Sequence, residues 1–476
     1  MLSHGKLNLY EEHGGVNLKM LIAADNEKKV IFVSSLGMFL STLDSGIINV
    51  ALPSLQQHFK TTITSISWTI SLYLLVLSSS IIVFGKCADR YGRVKVFTWG
   101  IVLFALSSLL CGLAPSENFL IFSRGLQGLS AAMLQATAVA LITTLISKER
   151  QGLAIGTLGS VMAAGPILGP TIGGILISTL GWRWIFWINL PICMIGLKFC
   201  SSLNDSNHLT KHPINFLPLL FLSLFMFSCI FLTTNLYQFY SKYSIWFYGF
   251  VILIISSFFL FIKYEKKSAY PIVSLRSTNK RFFVFLFTTL TFGISTAMIL
   301  VVPPFFLERI FGFTPWQTGF FIFCAPLGII LTARFSGKYI NPERVSPLMV
   351  LGFTVMLGAL TCLIFSGKNI ILLLVFLFFY GIGGGLFQPA NIASLMNSIE
   401  AANQGAINAL NRMVHNFGNA LGASLATLFL QVGANNNKLV QWVQFSWGFC
   451  LLLIMISLAC FYIFKPEKSD HPYATS

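Results

Sequence analysis

Apolar residues fall along this chain in fourteen runs separated by short polar breaks: 30–52, 64–84, 96–114, 118–145, 152–179, 183–203, 214–235, 244–262, 282–306, 315–337, 347–366, 370–395, 404–431 and 442–464. Each is long enough to cross a hydrocarbon core of about 30 Å as a helix. Residues 1–28 are polar, and the first long run, from Val30, is of spanning length, so no secretory leader precedes it. The pattern predicts an all-α multi-span membrane protein with 14 transmembrane helices. The seventh and eighth runs carry no Lys, Arg, Asp or Glu between Phe216 and Asn235 or between Ile245 and Ile262. They read as lipid-facing filler, which groups the spans as six, two and six. The expected organisation is an N-terminal segment 1–29, a six-helix bundle 30–203, a two-helix insert with basic linker 204–281, a second bundle 282–464 and a tail 465–476. Two six-span halves around a midplane site are the architecture of a secondary transporter.

Composition agrees: 55% of residues are hydrophobic and only 10% charged, with a mean hydropathy of +0.77. Nine cysteines form no CxxC pair and most sit in apolar spans, so neither a disulfide framework nor a metal site is expected. No G-x-x-x-x-G-K-[ST] occurs, which leaves ATP drive unsupported, and no cofactor is called for. The net charge of +16 would suggest nucleic acid in a soluble protein. Placed on the span map with the N-terminus inside, 22 of the 31 Lys and Arg fall on the cytoplasmic side, six outside and three within spans. The positive-inside rule thus predicts a multi-pass protein of the cytoplasmic (inner) membrane with both termini cytoplasmic, and removes the case for nucleic acid.

Against this apolar background a few residues stand out. Asp44 is the one acidic residue well inside a span, where a carboxylate must be protonated, paired or hydrated. Counted at 1.5 Å per residue, it lies about 12 Å from the outer end of its span, and Arg124 about 9 Å from the outer end of the fourth. Their depths match, so they are expected to form a switchable pair with Gln127 beside it. Desolvation favours the neutral carboxyl and a guanidinium the ionised one, which lets Asp44 alternate proton uptake and release; arginine cannot carry the proton itself. The fifth span writes Gly165-Pro166-Ile-Leu-Gly169-Pro170-Thr-Ile-Gly173-Gly174. In a membrane such a run gives a tightly packed, hinge-like helix. The second-span loop, with Gly85, Asp89, Arg90, Gly92 and Arg93, reads as a latch for the cytoplasmic side. Arg412 and His415, about 12 and 17 Å into the thirteenth span, join Asn49 as candidates for a substrate cavity. Glu308 and Arg309 fall at an outer span end as a solvated pair. Gly381–Gly385 lies within a span and reads as helix packing, not a phosphate loop.

These motifs resemble a family. Gly85-Lys-Cys-Ala-Asp89-Arg90-Tyr-Gly92-Arg93 resembles the loop signature of the major facilitator superfamily. Leu43-Asp44-Ser-Gly-Ile-Ile-Asn49-Val-Ala-Leu-Pro53 is similar to the first-helix motif of its fourteen-helix drug:H⁺ antiporters, with Gly46 where threonine is usual. Arg124-Gly-Leu-Gln127-Gly128 resembles their fourth-helix motif, and the glycine–proline run the antiporter motif. Gly181-Trp-Arg183-Trp-Ile-Phe-Trp-Ile-Asn189-Leu-Pro191 follows as in that branch. The second half matches more loosely, since the mirrored loop near Ser336–Lys338 lacks its acidic residue. The resemblance implies a major facilitator fold and proton-coupled export of amphiphilic drugs or toxic compounds, hence antibiotic resistance. An exporter of an endogenous metabolite or siderophore is the alternative. A lone deep carboxylate suits lipophilic monocations or neutral cargo, whereas Arg124 and Arg412 suit anions. In a two-membrane envelope, a periplasmic adaptor and an outer-membrane channel are the expected partners. A membrane-embedded enzyme lacks its catalytic cluster, since His415 has no acid on adjacent turns, and a sensor lacks an appended signalling domain.

Overall fold

The computed structural model describes residues 7–203, 216–236, 239, 244–268, 280–339, 342–397 and 404–464. Most of the basic linker after Ser268 and the tail 465–476 lie outside these residues. Among the described residues the chain forms sixteen helices and no strand. They are α1 (Leu7–Phe59), α2 (Ile63–Tyr91), α3 (Arg93–Gly112), α4 (Glu117–Leu145), α5 (Lys148–Thr179), α6 (Trp184–Trp187), α7 (Asn189–Cys200) and α8 (Phe216–Thr234). Then follow α9 (Ser244–Lys267), α10 (Lys280–Phe311), α11 (Pro315–Ile322), α12 (Cys324–Tyr339), α13 (Pro342–Phe365), α14 (Ile370–Asn397), α15 (Gln404–Asn435) and α16 (Leu439–Ile463). Twelve segments are long and apolar enough to span a membrane. Two shorter apolar helices, Ala164–Thr179 and Trp184–Cys200, take the places of the fifth and sixth spans.

Local chemistry sets the breaks. The sixth and tenth spans each divide in two. Pro191 and Pro326 lack the N–H that would continue the helical ladder, and the helices part at Ile188 and Phe323, three residues before each. Thr62 and Ser116 cap the starts of α2 and α4 by accepting from the Ser65 and Phe119 amides. Thr314 and Gln317 form a capping box ahead of Pro315. The N-terminal segment is helical as well, since α1 runs back without interruption to Leu7.

The glycine–proline run packs on two sides. Toward its own half it lies on α1 so closely that a Cβ on Gly169 would stand 2.7 Å from the Gly46 carbonyl carbon. That makes the glycine standing in place of the usual threonine part of the fit. Toward the second half, a Cβ on Gly174 would lie 2.5 Å from the Pro315 carbonyl oxygen at the start of α11. The helix itself continues through Pro166 and Pro170.

Further contacts join the halves on the face that carries the α1–α2 turn. Ser178 Oγ accepts from the Trp316 amide (3.2 Å), and Arg309 donates to Gln56 (2.7 Å). Arg309 thus bonds across the halves instead of merely facing solvent beside Glu308. Thr64 bonds Gln431, and Ser71 and Ser424 share a hydrogen bond of 3.2 Å.

One part of the insert is not filler. Thr234 of α8 donates to Ser424 (2.9 Å), completing a hydroxyl junction of α2, α8 and α15. Phe225 and Phe231 pack on Phe417 and Trp68 with ring centroids 6.0 and 5.7 Å apart. A helix that is apolar all round gives no sequence sign of which side meets protein. α9 does face outward, with Ile245, Trp246, Tyr248, Ile252 and Phe259 exposed.

The Gly174–Pro315 approach generates a prediction. Gly174→Leu should wedge α5 from α11 while leaving the protein inserted. In a cysteine-free background, labelling of Thr318→Cys, at a buried position of α11, by a membrane-impermeant maleimide should then rise several-fold. Unchanged labelling would show that this contact does not hold the face shut.

Candidate functional site

The matched depths of Asp44 and Arg124 become direct contact. Arg124 Nη1 donates to Asp44 Oδ2 at 2.5 Å, and both side chains are buried to within 2% of full occlusion. The other carboxylate oxygen accepts from Gln127 Nε2 (2.9 Å) and Asn189 Nδ2 (3.3 Å). Every polar group bonded to the two carboxyl oxygens is a donor. Gln127 Oε1 in turn accepts from Arg124 Nη1 (2.6 Å). Three donors on one carboxylate offset the large cost of burying its charge.

The surrounding helices fix Arg124 as firmly as its partner. Its Nε donates to the Thr69 carbonyl (3.0 Å), and its guanidinium lies 4.2 Å from the centroid of the Tyr73 ring. Tyr73 is itself anchored by its hydroxyl on the Ser41 carbonyl (3.0 Å). Ser108 accepts from both Gln127 (2.9 Å) and Asn189 (3.3 Å). The cluster therefore ties α1, α2, α3, α4 and α7 together. Within it, Arg124 Nη2 and Asn189 Oδ1 are buried with no hydrogen-bond partner among the described residues, which leaves one donor and one acceptor unfilled.

Asn189, Ser108 and Tyr73 were not assigned from sequence. Asn189 was visible only as part of a motif, and an uncharged polar residue in a span carries little penalty to mark it. Asn49, a candidate for the substrate cavity, bonds back to the Ser45 carbonyl of its own helix (3.2 Å) and is buried. The structure does not bring it to Arg412.

Arg412 sits where the halves meet. From α15 its Nη1 donates to Gln135 Oε1 of α4 (3.1 Å) and points at Met38 Sδ of α1 (3.5 Å), while Nη2 meets Met162 Sδ of α5. Asn416 also reaches Gln135 (3.4 Å), and Gln135 donates to Ser41 Oγ (3.2 Å). His415 stacks on Phe292 with centroids 6.0 Å apart.

In the second half, neutral groups tie α10 to α14 and α15. Thr288 and Thr289 of α10 donate to Asn391 and Asn411, both at 2.8 Å, and Asn391 donates back to Thr289 (2.8 Å).

At the α2–α3 loop, Asp89 accepts from Arg93 Nη2 (2.8 Å) and Nε (3.2 Å), and Arg93 Nη1 reaches the Ala140 carbonyl near the end of α4 (3.3 Å). Gly92 makes the turn with φ of 108°, a conformation that penalises any Cβ. Arg90 lies over Tyr91, 5.5 Å from the ring centroid, and a Cβ on Gly85 would meet no atom within 4 Å.

Helices long and apolar enough to cross a membrane, with an acid–guanidinium pair buried among them, fit a membrane transporter. The Major Facilitator Superfamily profile matches residues 34–339 and 282–475, and the chain belongs to that superfamily. It is 28% identical over 420 residues to the riboflavin transporter RibZ of Clostridioides difficile, covering 86% of this chain and 89% of that one. It is 26% identical over 439 residues to the multidrug transporter MdtP of Bacillus subtilis, covering 90% and 80%. Against the multidrug resistance protein Stp of Mycobacterium tuberculosis the identity is 27% over 404 residues, covering 82% and 74%. The multidrug relatives agree with the drug:H⁺ antiporter branch.

The cluster predicts non-additive stability. Removing one member of a buried pair leaves the other charge uncompensated, a cost of about 3–5 kcal/mol. Arg124→Gln or Asp44→Asn alone should lower the unfolding temperature in detergent, and the double variant should recover much of the loss. Strictly additive losses would mean that the pair contributes no coupling.

Proposed function

We propose that this chain is a proton-driven exporter of amphiphilic drugs or other toxic compounds, working by H⁺ antiport in the cytoplasmic membrane with both termini inside. The observation that carries the reading is the Asp44 carboxyl group, bonded by Arg124, Gln127 and Asn189 in a buried cluster. A proton arriving at Asp44 removes the charge that Arg124 pairs with. The carboxyl then has an O–H to donate, and its neighbours must rearrange because they too are donors. The unfilled Asn189 Oδ1 is an acceptor within that same cluster. Since the cluster ties five helices, its rearrangement alters how the first half packs against the second.

Other motifs take roles around this switch. Gly165, Pro166, Gly169, Pro170, Gly173 and Gly174 form the sliding face on which α5 moves against α1 and α11. Asp89 and Arg93, with Gly85, Arg90 and Gly92, latch the cytoplasmic side when the opposite face opens. Each proton returning inward delivers about 2.3 kcal/mol per 100 mV, against about 1.4 kcal/mol for a tenfold cargo gradient. The names of the multidrug relatives support a drug cargo. The riboflavin transporter among the relatives supports the second reading, a metabolite exporter, in its cargo class alone.

Asp44→Asn should insert and fold, yet its transport of a fluorescent drug in proteoliposomes under an imposed pH gradient should drop to the protein-free background. Gradient-driven flux at the wild-type rate would remove Asp44 from the proton path.

A further inference from the structure

The two buried guanidiniums are treated very differently. Arg124 has a carboxylate, a glutamine, a backbone carbonyl and an aromatic face. Arg412 has one amide oxygen and two thioether sulfurs, and among the described residues no carboxylate reaches it. Guanidinium presents five N–H donors and cannot shed its proton, while methionine sulfur is only a weak acceptor. A permanent cation at this depth, about 12 Å along α15 from its first residue, is costly unless an anion comes to it. Asp44 cannot serve, because both of its oxygens are already taken within the first half.

Arg412 also stands at the contact of the two halves, touching α1, α4 and α5 from α15. Apolar sulfur-bearing side chains flank it, and Gln135 and Asn416 supply amides beside it. Methionine is unbranched and adaptable, which suits a surface that accepts apolar bodies of varied shape.

We propose that Arg412 is the cargo-recognition group and that the cargo is an amphiphile bearing a negative charge, a sulfonate or carboxylate on an apolar ring system. The inference rests on the export reading above and narrows its cargo, and it reverses the charge that a lone buried carboxylate would suggest. The apolar body lies against Met38 and Met162, and the acid group replaces sulfur contacts with charge-assisted hydrogen bonds. The site also communicates with the proton switch through a continuous contact path. Arg412 bonds Gln135, Gln135 bonds Ser41, the Ser41 carbonyl holds the Tyr73 hydroxyl, and the Tyr73 ring covers Arg124. Cargo and proton thus occupy separate groups and influence one another through α1.

The test is equilibrium binding to the full-length protein in detergent, followed by fluorescence. The probes are anilinonaphthalene sulfonate, its uncharged parent anilinonaphthalene, and the cation ethidium. Wild type should bind the sulfonate about tenfold or more tightly than the parent, the order expected for a hydrogen-bonded charge. Arg412→Gln should erase that difference without changing affinity for the parent, and Arg412→Lys should restore part of it. Equal wild-type affinity for sulfonate and parent, a preference for ethidium, or an unchanged sulfonate preference in Arg412→Gln would each overturn the proposal. The comparison of probes on wild type stands even if a variant fails to fold. Proton-driven flux of the sulfonate in proteoliposomes then separates the two readings. Arg412-dependent binding without such flux would leave the anion site in place and reject the exporter.

Discussion

A carboxylate buried in the membrane must be given partners, and in this chain that requirement shapes the first half of the molecule. Asp44 could be satisfied by Arg124 alone in charge, but a carboxylate has two oxygens and several lone pairs to fill. Gln127 and Asn189 complete it, Ser108 orients both amides, and Thr69 and Tyr73 hold the arginine. The consequence is mechanical as well as electrostatic. Five helices converge on one carboxyl group and its partners.

The two halves divide the labour unequally. Where the first half has an ion pair between α1 and α4, the second has a ring of threonine and asparagine bonds joining α10, α14 and α15. Neutral hydrogen bonds of this kind hold helices together without responding to a proton. The second half supplies the opposing surface: α11 receives α5, and α15 meets α2 and α8 through hydroxyls and delivers Arg412. The superfamily's two-half arrangement thus carries charge chemistry on one side and a mostly neutral counter-surface on the other.

Much of this was legible in the sequence because the membrane penalises so few residue types so heavily. Spans stand out by apolar length, Asp44 and Arg124 by their charge, and simple counting along the helices put the two at one level. The partners were harder to find. Asn189, Ser108 and Tyr73 are mildly polar, such residues recur in many spans, and only the packing selects these. α8 escaped for the opposite reason, since a helix uniformly apolar on every side cannot signal that one side meets α2 and α15. The proline-imposed breaks at Ile188 and Phe323 follow from a missing N–H, but the hydropathy pattern runs through them unaltered.

The central claim is that the protonation state of Asp44 decides how the two halves sit against each other. Spin labels at Thr179 on α5 and Phe320 on α11, both exposed and flanking the α5–α11 contact, allow a distance distribution to be recorded across that contact. In the wild type the distribution should shift between acid and neutral pH, whereas Asp44→Asn should give one distribution at every pH. If the Asn variant shifts with pH as the wild type does, the proton that moves the halves binds elsewhere and the account fails.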